Sequence, residues 1–81
     1  MKIVWDEPKR AANLELRGLD FAMVTLSFFE AAQVLPAKKE RFLAVGLIDN
    51  RPYAVIFKPL GTEAFSIISL RLASPKERKL L

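Results

Sequence analysis

The sequence has 81 residues, a length that fits one domain and excludes a bilobal enzyme with a deep cofactor cleft. It contains no cysteine and no histidine, which excludes disulfides, thiolate nucleophiles, Cys- or His-ligated metals and Ser-His-Asp catalysis. Thirteen Lys and Arg against nine Asp and Glu give a net charge of +4, which favours a polyanionic partner such as nucleic acid.

The N-terminal segment predicts a short strand followed by a helix. Residues 3–5 are β-branched and aromatic, as strands prefer. Asp6 is suited to be the N-cap, and Pro8 fits the first turn of a helix. Gly18 is a suitable C-terminal stop, so we expect this helix to end near Arg17.

The next segment predicts a second helix and a weak strand. Asp20 can cap a helix over residues 21–28, and apolar side chains on nearly all its sides predict that it is buried. The alternative is a strand, since Val24-Thr25-Leu26 are acceptable strand formers. Residues 31–35 predict a weak strand that Pro36 closes, followed by a basic loop over residues 36–39.

The C-terminal half predicts an antiparallel meander of three strands. Apolar runs cover residues 41–49, 52–58 and 65–73, with short connections at 49–51 and 59–64. Asn50 can adopt the left-handed conformation that a tight turn requires. With the preceding elements and a short final helix, the pattern predicts an α+β fold.

Strict alternation along the last strand predicts that both of its faces are apolar. Phe65, Ile67, Ser69 and Arg71 would face one way, and Ser66, Ile68, Leu70 and Leu72 the other. A sheet that is apolar on both sides must be covered on both sides, and the chain has few helices. We therefore expect another chain to cover part of one face.

The C-terminus predicts a short helix. Ser74 and Glu77 have the spacing of a capping box, and Pro75 lies at the first helical position. A helix of about seven residues is unstable in isolation, so it must dock on this domain or on a partner.

Three basic residues of the meander are candidates for gripping phosphate. In an antiparallel arrangement, Arg41 and Lys58 lie at one end of the sheet and Arg71 lies nearer the other. Arginine binds phosphate with two hydrogen bonds and lysine acts as a point charge. The competing interpretation is that these are solvated residues that block edge pairing. Trp5 or Tyr53 could stack on bases, whereas the other aromatic residues are expected in the core.

An ordered set of motifs runs along almost the whole chain. Its N-terminal members are Trp5-Asp6-Glu7-Pro8-Lys9, Asn13, Gly18 and Phe21. Its C-terminal members are Glu40-Arg41-Phe42, Gly46, Ile67-Ile68-Ser69, Arg71, Ala73 and Glu77-Arg78. The set resembles the BrnT family, the ribonuclease toxins of bacterial toxin-antitoxin pairs, which have a RelE-like fold. The resemblance implies a single toxin domain over residues 1–81.

The resemblance implies metal-independent RNA cleavage, without a cofactor, by a cytoplasmic protein with no membrane association. A BrnA-like antitoxin would neutralise the toxin, and the complex would reach DNA only through that antitoxin. The catalytic candidates are Arg41, Lys58 and Arg71, and the substrate-binding candidates are Trp5, Arg17, Ser69 and Arg78. The general base would be a carboxylate, a lysine of shifted pKa or Tyr53, so the pH-rate profile should lack a histidine-type limb.

The sequence departs from the usual family pattern at three positions. Leu16-Arg17-Gly18 stands where the family has Lys-His-Gly, and Leu60 and Ser66 stand where it has arginine. These losses favour a first alternative, a catalytically weakened homologue that serves as the antitoxin-binding half of a DNA-binding complex. A second alternative is an RNA-binding protein that does not cleave.

Overall fold

The computed structural model describes all 81 residues and has the expected α+β architecture. The strands are β1 (Lys2–Trp5), β2 (Gln33–Pro36), β3 (Phe42–Ile48), β4 (Arg51–Leu60) and β5 (Ala64–Leu72). The helices are α1 (Glu7–Arg17), α2 (Leu26–Ala31) and α3 (Pro75–Arg78), with a single 3₁₀ turn at Phe21–Met23. None of the helices is long and apolar enough to cross a membrane.

The five strands form one sheet in the order β1-β5-β4-β3-β2. The predicted meander is confirmed, since β3, β4 and β5 pair antiparallel in succession and β2 adds to β3. The β3–β4 turn places Asp49 and Asn50 at positive φ, 50° and 65°, as a tight two-residue hairpin requires. Only β1 pairs in parallel, beside the first half of β5.

The predicted bounds of α1 and the predicted start of α3 at Pro75 are confirmed, whereas α3 is shorter than the seven residues expected and ends at Arg78. Gly18 adopts φ 69° and its N–H bonds to the Leu14 carbonyl, which ends α1. Asp6 occupies the N-cap position but makes no side-chain capping bond. Ser74 and Glu77 form the complete capping box at the start of α3.

The single helix predicted over residues 21–28 is wrong, because this segment forms two separate elements. Asp20 caps only the 3₁₀ turn, and the extended residue Val24 ends it. Thr25 then accepts a bond from the Phe28 N–H and starts α2. The break brings Phe28 over β3, where its ring approaches Gly46 so closely that a Cβ there would lie 3.0 Å away.

The 3₁₀ turn and α2 pack on one face of the sheet, and the core lies between them and the sheet. Its buried members are Phe21, Val24, Phe28, Ala44, Tyr53, Val55, Phe57, Ile67 and Leu70. Phe29 extends this core by packing on Phe57 and Phe65, with ring centroids 4.9 and 4.8 Å apart. Burial of these aromatic rings supplies much of the driving force for folding.

The predicted alternation along β5 is wrong because the strand contains a β-bulge. Ile56 pairs with Ser69 whereas Phe57 pairs with Ile67, so Ile68 is an extra residue. Beyond the bulge the strand faces are exchanged, and Ile67 and Leu70 both enter the core. The two polar residues Ser69 and Arg71 therefore share the opposite face with Ser66.

Candidate nucleic-acid interface

The sheet carries basic residues but no acidic ones. Its five strands contain Lys2, Arg51, Lys58 and Arg71, and all nine carboxylates of the chain lie in helices and connections. The face opposite the core, called the open face below, is therefore free of strand carboxylates. Its residues, placed by register, are Lys2, Val4, Gln33, Leu35, Leu43, Val45, Leu47, Pro52, Ala54, Ile56, Lys58, Leu60, Ala64, Ser66, Ser69 and Arg71.

The three predicted catalytic residues form two groups on this face. Phe42 pairs with Phe57, so Arg41 and Lys58 lie at the same end of the sheet, as predicted. Arg71 pairs with Ala54, four residues from Lys58, which corresponds to about 13 Å along β4. The backbone thus separates Arg71 from the other two residues.

Arg71 is held in a fixed orientation by α3. Its guanidinium donates two hydrogen bonds to the Glu77 carboxylate, at 2.6 and 2.9 Å. The Ser74 N–H donates a further bond to the same carboxylate, at 2.8 Å. The hydrogen bond from Arg71 lowers the pKa of Glu77 to about 2, and this pairing raises the pKa of Arg71. Arg71 therefore stays charged, with donors left free for an anion.

A cleft of about 240 Å³ lies between α1 and β5, where β1 has ended. Ser69 lines it from the strand, and Lys9 and Arg17 line it from the helix. Asn13 accepts a bond from the Leu70 N–H at 3.1 Å and donates one to the Leu19 carbonyl at 2.9 Å. Its buried amide thus gives a hydrogen-bond partner to a backbone N–H of β5 that lies beyond the end of the pairing with β1.

The structure brings three of the four predicted substrate-binding residues to this side of the molecule. Arg17 and Ser69 share the cleft, and Arg78 donates from Nε to the Ala73 carbonyl at 3.2 Å, just after β5. The fourth, Trp5, lies on the core side instead. Its ring packs edge-on against Phe21 at 6.2 Å, so the base-stacking role predicted for it has no support.

The sequence analysis did not predict that Lys9 lines this cleft, that Asn13 bonds to β5 or that Glu77 pairs with Arg71. The spacing of Lys9, Asn13 and Arg17 by four residues was a signal, because it predicts one helix face with a polar stripe. The pairing of Arg71 with Glu77 had no comparable signal, since it depends on how α3 turns back towards β5. Tyr53, a candidate base, is only 4% exposed and lies within the core.

The chain is similar to known ribonuclease toxins over most of its length. The model of the family described as the ribonuclease toxin BrnT of type II toxin-antitoxin systems matches residues 5–77. The crystal structure of the Brucella abortus ribonuclease toxin BrnT is 52% identical in sequence, with a TM-score of 0.86. The match covers 91% of this chain and 97% of that chain. Among curated protein sequences, none gives a significant match.

These matches cover nearly the whole sheet, α1 and α3, and confirm the resemblance found in the sequence. A type II system pairs each toxin with an antitoxin, so an antitoxin partner is implied. The chain belongs to the BrnT family, the ribonuclease toxins of type II toxin-antitoxin systems.

Proposed function

We propose that this protein cleaves cytoplasmic RNA without a metal ion, with the reacting phosphate beside Ser69 and Arg71 on the open face. The observation that best supports this proposal is the acid-free sheet, on which Arg71 is fixed and remains charged. The strands bring no carboxylate to a polyanion there, and the carboxylate of Glu77 in α3, which pairs with Arg71, leaves some of its guanidinium donors free. Arg41 and Lys58, at the other end of the face, would hold flanking phosphates.

The chemistry needs only the substrate and charged side chains. The ribose 2′-hydroxyl attacks the adjacent phosphorus and the bond to the 5′ oxygen breaks, leaving a 2′,3′-cyclic phosphate and a 5′-hydroxyl. The 2′-hydroxyl loses one proton to a solvent water molecule, and the leaving oxygen gains one from solvent. Arg71 would stabilise the negative charge that develops on the phosphorane, and the Ser69 hydroxyl would donate to a phosphate oxygen.

Two candidates for the general base are poorly suited to the task. Tyr53 is buried on the other side of the sheet. Glu77 accepts bonds from Arg71 and from the Ser74 N–H, and its pKa of about 2 makes it a weak proton acceptor. We therefore assign most of the rate to charge stabilisation by Arg71.

The test is cleavage of a 5′-labelled RNA oligonucleotide by the purified chain in the presence of EDTA. We expect cleavage to persist and Arg71→Gln to lower kcat by about 10²- to 10³-fold. Arg51→Gln is the matched control, since Arg51 aligns with the core side and should leave the rate unchanged. Loss of activity in EDTA, full activity of Arg71→Gln, or a rate transition near pH 6.5, about the ordinary pKa of histidine, would contradict the mechanism.

A second candidate function is antitoxin binding without catalysis, and two positions on the open face favour it. Ser66 pairs with Lys58, and Leu60 lies two residues further along β4 on the same face. The usual family arginines are missing at both. If the wild type is inactive and Leu60→Arg with Ser66→Arg cleaves RNA, this second function is the correct one.

We also propose that a BrnA-like antitoxin covers the apolar half of the open face and brings the complex to DNA. Leu47 and Leu60 are 53% and 46% exposed, and neither belongs to the buried core. Leu47→Asp should therefore let the toxin escape a coexpressed antitoxin while RNA cleavage is unchanged. Leu26→Asp places the same charge in the first turn of α2, on the core side of the sheet. This variant should still be inhibited by the antitoxin.

A further inference from the structure

Two cations in the cleft between α1 and β5 have no carboxylate partner. Lys9 and Arg17 both line the cleft, and neither takes part in an ion pair. The neighbouring Arg10 differs, because it pairs with Glu7 and with Asp20. Helix α1 therefore presents neutralised charge on one side and unneutralised positive charge towards β5.

The unpaired cations have a fixed position relative to the open face. Lys9, Asn13 and Arg17 are four residues apart, so they form one stripe along α1. Eight residues of helix place the two cations about 12 Å apart along the axis. Asn13, between them, is 6% exposed and bonds to the Leu70 N–H, which ties the stripe to β5 next to Ser69.

We propose that Lys9 and Arg17 form a second RNA-backbone subsite, distinct from the position of the reacting phosphate. A bound RNA molecule then passes from Ser69 and Arg71 over the free edge of β5 and continues along α1. The subsite contacts phosphates rather than bases, so it adds affinity without sequence preference. This inference rests on the proposed function, and it assigns Lys9 and Arg17 to binding and not to catalysis.

The experiment measures binding of a fluorescein-labelled 2′-O-methyl RNA oligonucleotide, which lacks the attacking hydroxyl, by fluorescence anisotropy over a range of salt concentrations. Lys9→Gln and Arg17→Gln should each weaken binding by about five- to tenfold and reduce the slope of log affinity against log salt by about 0.7. With cleavable RNA, both variants should raise KM and leave kcat unchanged.

Matched controls remove the same charges elsewhere. Lys38→Gln removes a lysine charge from the β2–β3 connection, at the far edge of the sheet. Arg51→Gln removes an arginine charge from β4, at a position that aligns with the core side. If Lys9→Gln and Arg17→Gln bind no worse than these controls while the wild type cleaves RNA, the subsite is wrong and the proposed function stands. A wild type that neither binds nor cleaves RNA overturns both. A fall in kcat without a change in KM also overturns the assignment to binding.

Discussion

The two faces of the sheet are built from the same strands but differ in chemistry. The core face packs Phe21, Ile67 and Leu70 with no exposure at all, beneath the 3₁₀ turn and α2. The open face presents Lys58 and Arg71 together with leucines that remain about half exposed. Most of the buried side chains lie on the core face, although Val45 and Ala54 on the open face are buried too. We therefore expect substitutions at the exposed positions of the open face to have little effect on stability.

The largest expected effect is on the core face. Phe21→Ala should lower the free energy of unfolding by about 3–5 kcal/mol, because a fully buried ring is replaced by a cavity. Leu47→Ala on the open face should change it by at most about 0.5 kcal/mol. Urea titration followed by circular dichroism measures both. Equal losses in the two variants would mean that the faces do not divide stability in this way.

A smaller effect is expected where α1 meets the edge of β5. Asn13→Ala leaves the Leu70 N–H and the Leu19 carbonyl without a partner and should cost about 1–3 kcal/mol of stability. Gln33→Ala removes an exposed amide from β2 and should cost at most about 0.5 kcal/mol. A neutral Asn13→Ala would show that water replaces the side chain and that α1 is not anchored there.

A pH-dependent effect is expected where α3 pairs with the open face. The pKa of Glu77 is lowered from 4.5 to about 2, so its contribution to stability is present above pH 4.5 and is lost as the pH falls towards 2. The thermal midpoint of the wild type should therefore fall more steeply in this range than that of Glu77→Gln. Glu15→Gln, which removes an exposed carboxylate outside any ion pair, should follow the wild type. Parallel curves for all three would argue against the Arg71 pairing in solution.

The elements that local sequence determines could be predicted. The capping box at Ser74, the left-handed stop at Gly18 and the tight turn at Asn50 each depend on a few neighbouring residues. The meander followed from three apolar runs with short connections. The candidate residues at the two ends of the open face followed from antiparallel geometry, which fixes the ends of strands without knowledge of side-chain packing.

The features that were missed depend on contacts between distant parts of the chain. The parallel pairing of β1 with β5 leaves half of that strand edge free, and this creates the position that Asn13 fills. The engagement of Arg71 by Glu77 depends on the direction in which α3 leaves the sheet. Thr25 was a local signal for a new helix start that the continuous apolar pattern obscured.

The bulge at Ile68 has a consequence for how β5 of this chain tolerates a change in length. Without that residue, the strand would read Phe-Ser-Ile-Ser-Leu-Arg-Leu, a regular amphipathic sequence with the same side chains on the same faces. Ile68 is thus a one-residue insertion that leaves the strand's two faces in place, and it lines the cleft beside Ser69. The shape of this cleft can therefore change through the length of one strand, by a single codon gained or lost, while the core retains its composition.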